Sequence, residues 1–221
     1  MRVILFANGL LKHDHEVRET IQPGDVILAA DGGARHCLRL NLVPEEVIGD
    51  FDSLNQEALA ELQAAGTELI RHPRRKDETD LELAMDAVIA MKPKRIWILG
   101  ALGKRFDQSL ANIFLLARGD FADIDLRLID GQREIFLIRG FGQIEGVPGE
   151  SVSLLPLHGP AHGVRTQGLL YPLKDETLYP DRTRGISNEL IAPSAQITLQ
   201  SGLLICIHAF SDTNQKGGSN D

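Results

Sequence analysis

Cysteine is scarce in this chain, with two in 221 residues, Cys37 and Cys206. Two distant thiols make neither a disulfide framework nor a zinc-ligand spacing, and they suit a reduced, cytoplasmic setting. No apolar run approaches the ~20 residues that a bilayer span requires. The first residues reach polar Asn8 too soon for a secretory signal. Positive charge is in deficit, with 23 Lys and Arg against 31 Asp and Glu and a formal net charge of −8. A general nucleic-acid binder carries the opposite balance. Neither the dinucleotide fingerprint nor the P-loop motif occurs, no Ser–His–Asp or Cys–His set assembles from spacing, and there is no internal repeat.

What is present is ordinary for a globular protein: 43% hydrophobic and 24% charged residues, enough apolar material for a sizeable core. The length suits one large domain or two small ones. Apolar, β-branched runs at residues 3–6, 25–30, 46–48, 68–71, 95–99 and 124–129 alternate with helical patterns. That alternation predicts a mostly parallel sheet covered on both faces. Three helices are well signalled. One opens at Ser53, with Gln56 completing a capping box, carries Ala58, Leu59, Leu62 and Ala65, and ends at Gly66. Another opens at Asp77 and carries Leu81, Ala84, Met85, Val88 and Ile89; the third opens near Asp107, carries Leu110, Ile113, Phe114 and Ala117, and ends at Gly119. Trp97, the single tryptophan, lies inside an apolar run and reads as core.

Beyond about residue 133 the texture changes to short apolar runs between Gly, Pro and polar residues, at 134–138, 151–157 and 163–173. Runs 196–200 and 203–210 flank Ser201-Gly202, a hairpin signal. This half reads as all-β, a small sandwich or barrel. The expected division is 1–132, 133–210 and a polar, Gly/Ser-rich tail at 211–221.

Ligands of an open parallel sheet bind outside the carboxyl ends of its strands, and polar clusters fall there. They are Asn8-Gly9, Asp31-Gly32-Gly33, Gly49-Asp50-Phe51-Asp52-Ser53, the run 74–80 and the run 100–108. Turn formation and helix capping account for such residues one at a time. They account less well for three successive turns carrying more acids and bases than caps need. Asp50 and Asp52, at alternate positions of an extended backbone, suit one shared cation, and Mg²⁺ takes one or two carboxylates together with phosphate oxygens and water. Arg74, Arg75 and Lys76 precede Asp77, Thr79 and Asp80 at a predicted helix start. A polyphosphate with its metal needs such a mixture, because helix N–H groups attract anions. Lys104 and Arg105 offer two further cations, and Asp107 serves as well as an N-cap. His13 and His15 read as an exposed turn, and His158 and His162 as a Gly/Pro loop. On the residues alone, an Asp-x-Asp nucleotide-sugar transferase and a non-catalytic nucleotide-binding regulator stay open.

In this order, the turns resemble the thiamine pyrophosphokinase (thiamine diphosphokinase) family. The likeness rests on Asp31-Gly32-Gly33-Ala34, Gly49-Asp50-Phe51-Asp52-Ser53, Asp77-Glu78-Thr79-Asp80 and Gly103-Lys104-Arg105-Phe106-Asp107-Gln108. It extends to the segments 166–173 and 185–189. The resemblance implies an α/β fold: a mostly parallel, Rossmann-like N-terminal sheet with helices on both faces, then an all-β, sandwich-like domain. It implies transfer of the pyrophosphoryl group of ATP to thiamine, giving thiamine diphosphate and AMP. It also implies a homodimer with neither nucleic-acid nor membrane partners. Asp50, Asp52 and Asp80 would bind Mg²⁺, with Arg105 as the catalytic cation. Asp31, Gly32, Gly33, Lys76, Asp77, Thr79, Arg105, Asp107 and Gln108 would surround ATP. Ser187 and Asn188 would meet thiamine, from the partner subunit.

Overall fold

A computed structural model describes residues 1–103 and 105–210; the expected tail at 211–221 and Lys104 lie outside the described residues. The first unit, Met1–Gly131, alternates strands and helices. Its elements are β1 (Arg2–Phe6), α1 (Asp14–Thr20), β2 (Val26–Ala30), α2 (Ala34–Arg39), β3 (Glu46–Gly49), α3 (Gln56–Ala64) and β4 (Glu68–Arg71). They continue with α4 (Asp80–Ala90), β5 (Arg95–Leu99), α5 (Phe106–Leu115) and β6 (Asp125–Asp130). β1 pairs in parallel with β2 and with β5, β2 with β3, β3 with β4, and β5 with β6. The strand order therefore turns around at β1.

Strand β1 shows why the runs read as buried on both sides. Val3, Ile4, Leu5 and Phe6 are all inaccessible to solvent, although alternate residues of a strand face opposite ways. Ile4 and Phe6 join Cys37, Leu59 and Leu62 in one apolar cluster. α4 packs on β2 and β3 and buries Leu81, Ala84, Met85 and Val88, none of which belongs to that cluster. Each such apolar side chain contributes roughly 1.5–3 kcal/mol on burial.

Helix ends differ from the sequence reading. α3 is capped by Asn55, whose side chain accepts from the Ala58 N–H; Ser53 lies upstream, where its Oγ accepts from Asn8 Nδ2 at 3.0 Å. α4 is capped by Thr79, not opened by Asp77. Both Asn and Thr are good caps, so composition alone does not choose among neighbouring candidates. α5 ends at Leu115 and buries none of its side chains fully, and Phe106 is 77% exposed.

The second unit begins at Gln132 and is antiparallel. It contains β7 (Arg133–Ile138), β8 (Phe141–Glu145), β9 (Ser151–Pro156), β10 (Ala161–Gln167), β11 (Lys174–Leu178), β12 (Asn188–Glu189), β13 (Ser194–Thr198) and β14 (Leu204–Ala209). β12, β9, β14 and β7 are neighbours in one layer, and β11, β10, β13 and β8 in another. Both layers contribute to one apolar cluster that includes Ile138, Val152, Leu154, Val164, Ile197 and Cys206. The hairpin expected at Ser201-Gly202 does not form. β13 pairs with β10 and β8, whereas β14 pairs with β7 and β9, so the chain changes sheets there. Gly202, at φ 98°, permits the change: a Cβ would lie 2.6 Å from the Pro160 carbonyl oxygen.

The buried polar side chains of this unit include His208 and Asn188. His208 is fully buried, with Nδ1 3.1 Å from Glu134 and Nε2 2.9 Å from Glu150. Both ring nitrogens face carboxylates, an arrangement that favours the doubly protonated, charged ring. Burial opposes that charge, but hydrogen bonds to Glu134 and Glu150 outweigh it and raise the His208 pKa. Asn188 is also buried. Its Oδ1 accepts from the Tyr171 and Glu189 N–H groups at 2.9 and 3.0 Å, and its Nδ2 donates to the Tyr171 carbonyl at 2.8 Å.

A raised folded-state pKa gives a stabilising contribution that is complete below pH ~6.5 and lost as pH rises through the folded value. The melting temperature should therefore fall on going alkaline, and His208→Gln should flatten that slope; an unchanged slope in the variant would refute the charged pairing. Asn188→Ala removes the side-chain hydrogen bonds to Tyr171 and Glu189, each worth about 0.5–1.5 kcal/mol, and should cost about 1–3 kcal/mol in denaturant unfolding. Unchanged stability in that variant would show that the Tyr171 contacts do not hold the fold.

Candidate active site

The turning point of the strand order opens a cleft at the carboxyl ends of the first unit's strands, as expected for an open parallel sheet. Its volume is about 470 Å³. The segments after β1 and β5 stay paired beyond the strands: the Ala7, Gly9 and Leu10 N–H groups donate to Leu99, Gly100 and Leu102 at 2.7–2.8 Å. Asn8, Asp31, Asp50, the turn before α4 and the start of α5 line the space around them.

Three carboxylates converge there. Ligand atoms of Asp31, Asp50 and Asp52 all lie within 4.8 Å of one another. The convergence does not come from the extended backbone read from the sequence. Phe51 adopts φ 65°, unusual for a bulky residue, and Asp50 Oδ1 accepts the Asp52 N–H at 3.0 Å. Phe51 is held by burial and by the Arg71 guanidinium, 4.6 Å over its ring, while Arg71 Nη1 donates to the Asp50 carbonyl at 2.8 Å. Gly49 admits Asp31: a Cβ there would lie 2.8 Å from Asp31 Cβ and 3.2 Å from Asp80 Oδ1.

These residues fit a divalent cation. Asp31 is buried, yet its Oδ1 has no hydrogen-bond partner. A buried carboxylate oxygen without a donor is costly, and three clustered carboxylates repel one another unless a positive charge joins them. A hard cation with oxygen ligands removes both costs. Of the expected metal set, Asp50 and Asp52 belong to this cluster, and Asp31 joins them. Asp80 stands beside it, with Oδ1 2.5 Å from Lys76 Nζ.

The expected nucleotide residues divide. Lys76, Thr79, Arg105 and Gln108 line the cleft, as does Asp31. Asp77 lies in an exposed loop ahead of α4. Asp107 is exposed and grips Arg105 through two hydrogen bonds, which hold its carboxyl below the ordinary range. Gly32 and Gly33 do not line the cleft; a Cβ would meet Asn8 Oδ1 at 2.3 Å and the Phe6 carbonyl oxygen at 2.1 Å respectively. Both positions are required by close packing against the end of β1. In the second unit, Ser187 is exposed at φ 53°, its N–H donating to Ser153 Oγ at 3.0 Å, and Asn188 is spent on Tyr171.

Further residues support the site: Asn8, placed at a strand end by the sequence but given no role there, and Arg35, Arg71 and Asn112, which the sequence did not single out. Asn8 accepts from Arg35 Nη2 at 2.8 Å and donates to Ser53 Oγ, which lies 3.3 Å from Asp52 Oδ1. Asn112 lines the cleft and donates to the Ala101 carbonyl at 2.6 Å. The place of Asn8 just after the first strand was a usable signal; Arg35, Arg71 and Asn112 carried none. The N-terminal turn of α4 also lines the cleft, through Thr79, Asp80 and Leu81.

Comparison with known proteins agrees with this arrangement. Residues 17–128 match the thiamin pyrophosphokinase catalytic domain, and residues 143–204 match the thiamin pyrophosphokinase vitamin B1 binding domain. The chain is 33% identical over 184 residues to a thiamine pyrophosphokinase of Bacillus subtilis, covering 82% of this chain and 86% of that protein. The crystal structure of thiamine pyrophosphokinase from Bacillus subtilis superposes with a TM-score of 0.87 at 29% identity, over 96% of this chain and 100% of the other. Thiamin pyrophosphokinase from Candida albicans, 18% identical, shares the fold with a TM-score of 0.83 over 95% of this chain and 89% of the other. Nothing in these matches supports a nucleotide-sugar transferase or a non-catalytic regulator. The order of the acidic turns, the cleft they line and both domain matches agree: the chain belongs to the thiamin pyrophosphokinase family.

Proposed function

We propose that this protein transfers the pyrophosphoryl group of ATP to the hydroxyl of thiamine, releasing AMP and thiamine diphosphate. The observation that carries the reading is the convergence of Asp31, whose buried Oδ1 has no donor, with Asp50 and Asp52, beside a cleft lined by Lys76 and Arg105. Acids for a metal and bases for an anion stand side by side, as a metal–polyphosphate requires. The thiamine hydroxyl oxygen gives up its proton to solvent and bonds to the β-phosphorus, while the bond from that phosphorus to the α–β bridging oxygen breaks, leaving AMP. Such transfer depends on positioning and on charge neutralisation. Mg²⁺, held by Asp31, Asp50 and Asp52 with Asp80 beside them, would supply Lewis-acid charge to the polyphosphate. Arg105, aimed by Asp107, neutralises phosphate oxygens in a planar fork. The α4 N-terminus donates N–H groups to the same anion, and Thr79 orders that first turn by capping it.

In this reading the first unit is the catalytic part and the second serves thiamine, through Ser187. The protein works as a homodimer, for which the exposed Phe106 of α5 suits a contact with a second copy. Its two cysteines, Cys37 and Cys206, are both buried and suit the cytoplasm. No helix of the described residues is long and apolar enough to cross a membrane.

Incubation of the purified protein with ATP, Mg²⁺ and thiamine should yield AMP and thiamine diphosphate in equal amounts by chromatography; ADP with thiamine monophosphate would overturn the reaction assigned. Asp50→Ala should lower turnover by at least ~100-fold, the scale on which one preorganised electrostatic contact acts. Near-normal turnover of that variant would remove the metal site from the mechanism.

A further inference from the structure

Lys76, one of the cations lining the cleft, is already paired with Asp80. Lys76 Nζ lies 2.5 Å from Asp80 Oδ1, and the side chains are only 13% and 29% exposed. The same oxygen sits against Gly49, whose added Cβ would also touch Asp31. The carboxylate oxygen beside the cluster therefore already carries a cation. The other cation–acid pair at the cluster is different in kind. Arg74 and Asp52 are 3.3 Å apart and 80% and 48% exposed, so water and salt screen them.

A divalent ion entering beside Asp31 and Asp50 meets the Lys76 ammonium at close range, in surroundings that screen poorly. Asp80, which stands beside the cluster, is engaged. A polyphosphate changes this balance by offering the ammonium a second anion. Lysine suits such a move, being a compact charge on a flexible stem. Lys76 is also outside α4, in the turn that precedes it, so its displacement leaves the helix intact.

Resting on the reading of the cleft as a metal–nucleotide site, we infer that Lys76 is a displaceable counter-ion of Asp80. It suppresses cation binding while the polyphosphate is absent and transfers to the phosphates when nucleotide arrives, so that cation and nucleotide load together. The coupling is reciprocal, as linkage requires.

The test is titration of Mn²⁺ into the full-length protein, followed by electron paramagnetic resonance, alone and then with a non-hydrolysable ATP analogue. Lys76→Met should bind Mn²⁺ alone roughly tenfold more tightly than the parent protein, within the usual range of site-to-site coupling, and gain less on adding the analogue. Lys76→Arg, which keeps a cation on Asp80, and Arg74→Gln, which alters only the screened pair, should both behave like the parent. Unchanged Mn²⁺ affinity in Lys76→Met, or tightening in Lys76→Arg equal to that in Lys76→Met, would overturn the counter-ion role while leaving the site itself standing. Absence of Mn²⁺ binding to the parent even with the analogue would overturn the site, and the inference with it.

Discussion

Mutual repulsion among Asp31, Asp50 and Asp52 is the constraint that organises the first unit's cleft. Their oxygens lie within 4.8 Å of one another, and that geometry persists only because the backbone around them is fixed from several directions. Gly49 lets the end of β3 reach Asp31. The left-handed turn at Phe51 folds Asp50 and Asp52 together, and Arg71 holds that turn from both its carbonyl and its aromatic side. Asn8 ties the neighbouring Ser53 to Arg35. Strain gathered at one place in this way is characteristic of a functional site, and the parallel sheet beneath supplies the rigidity to bear it.

The second unit solves a different problem. Its strands are short, and their pairing alone would specify register weakly. Buried polar groups whose partners are fixed add specificity of register. His208 spans Glu134 and Glu150 from β14, and Asn188 ties β12 to the Tyr171 turn. Each is satisfied by several hydrogen bonds, the condition under which buried polar groups order a structure.

Much of the fold was legible because apolar runs of strand length are a strong local signal. The six strands of the first unit and the change to β structure beyond residue 133 all appear in that pattern. Boundaries were less legible. Ser53 and Asn55, or Asp77 and Thr79, are equally plausible caps by composition, and only packing decides which one the helix uses. The pair 196–200 and 203–210 carried every mark of a hairpin, yet each run finds its partners in a different sheet. α5 has a regular apolar periodicity but buries no residue fully, because periodicity records a face without recording what covers it.

For the site, the sequence by itself determined which turns carry the chemistry, since strand ends and charged residues are both written locally. It placed Asp50, Asp52, Lys76, Thr79 and Arg105 in one neighbourhood through the rule that parallel strands present their carboxyl ends together. Only the tertiary structure decided how the acids divide. Asp31 joins Asp50 and Asp52, Asp80 turns to Lys76, Asp107 turns to Arg105, and Gly32 and Gly33 serve packing. The physical reason is that carboxylate pairing depends on distances of a few ångströms between residues tens of positions apart, and those distances are set by the approach of backbone at Gly49 and Phe51.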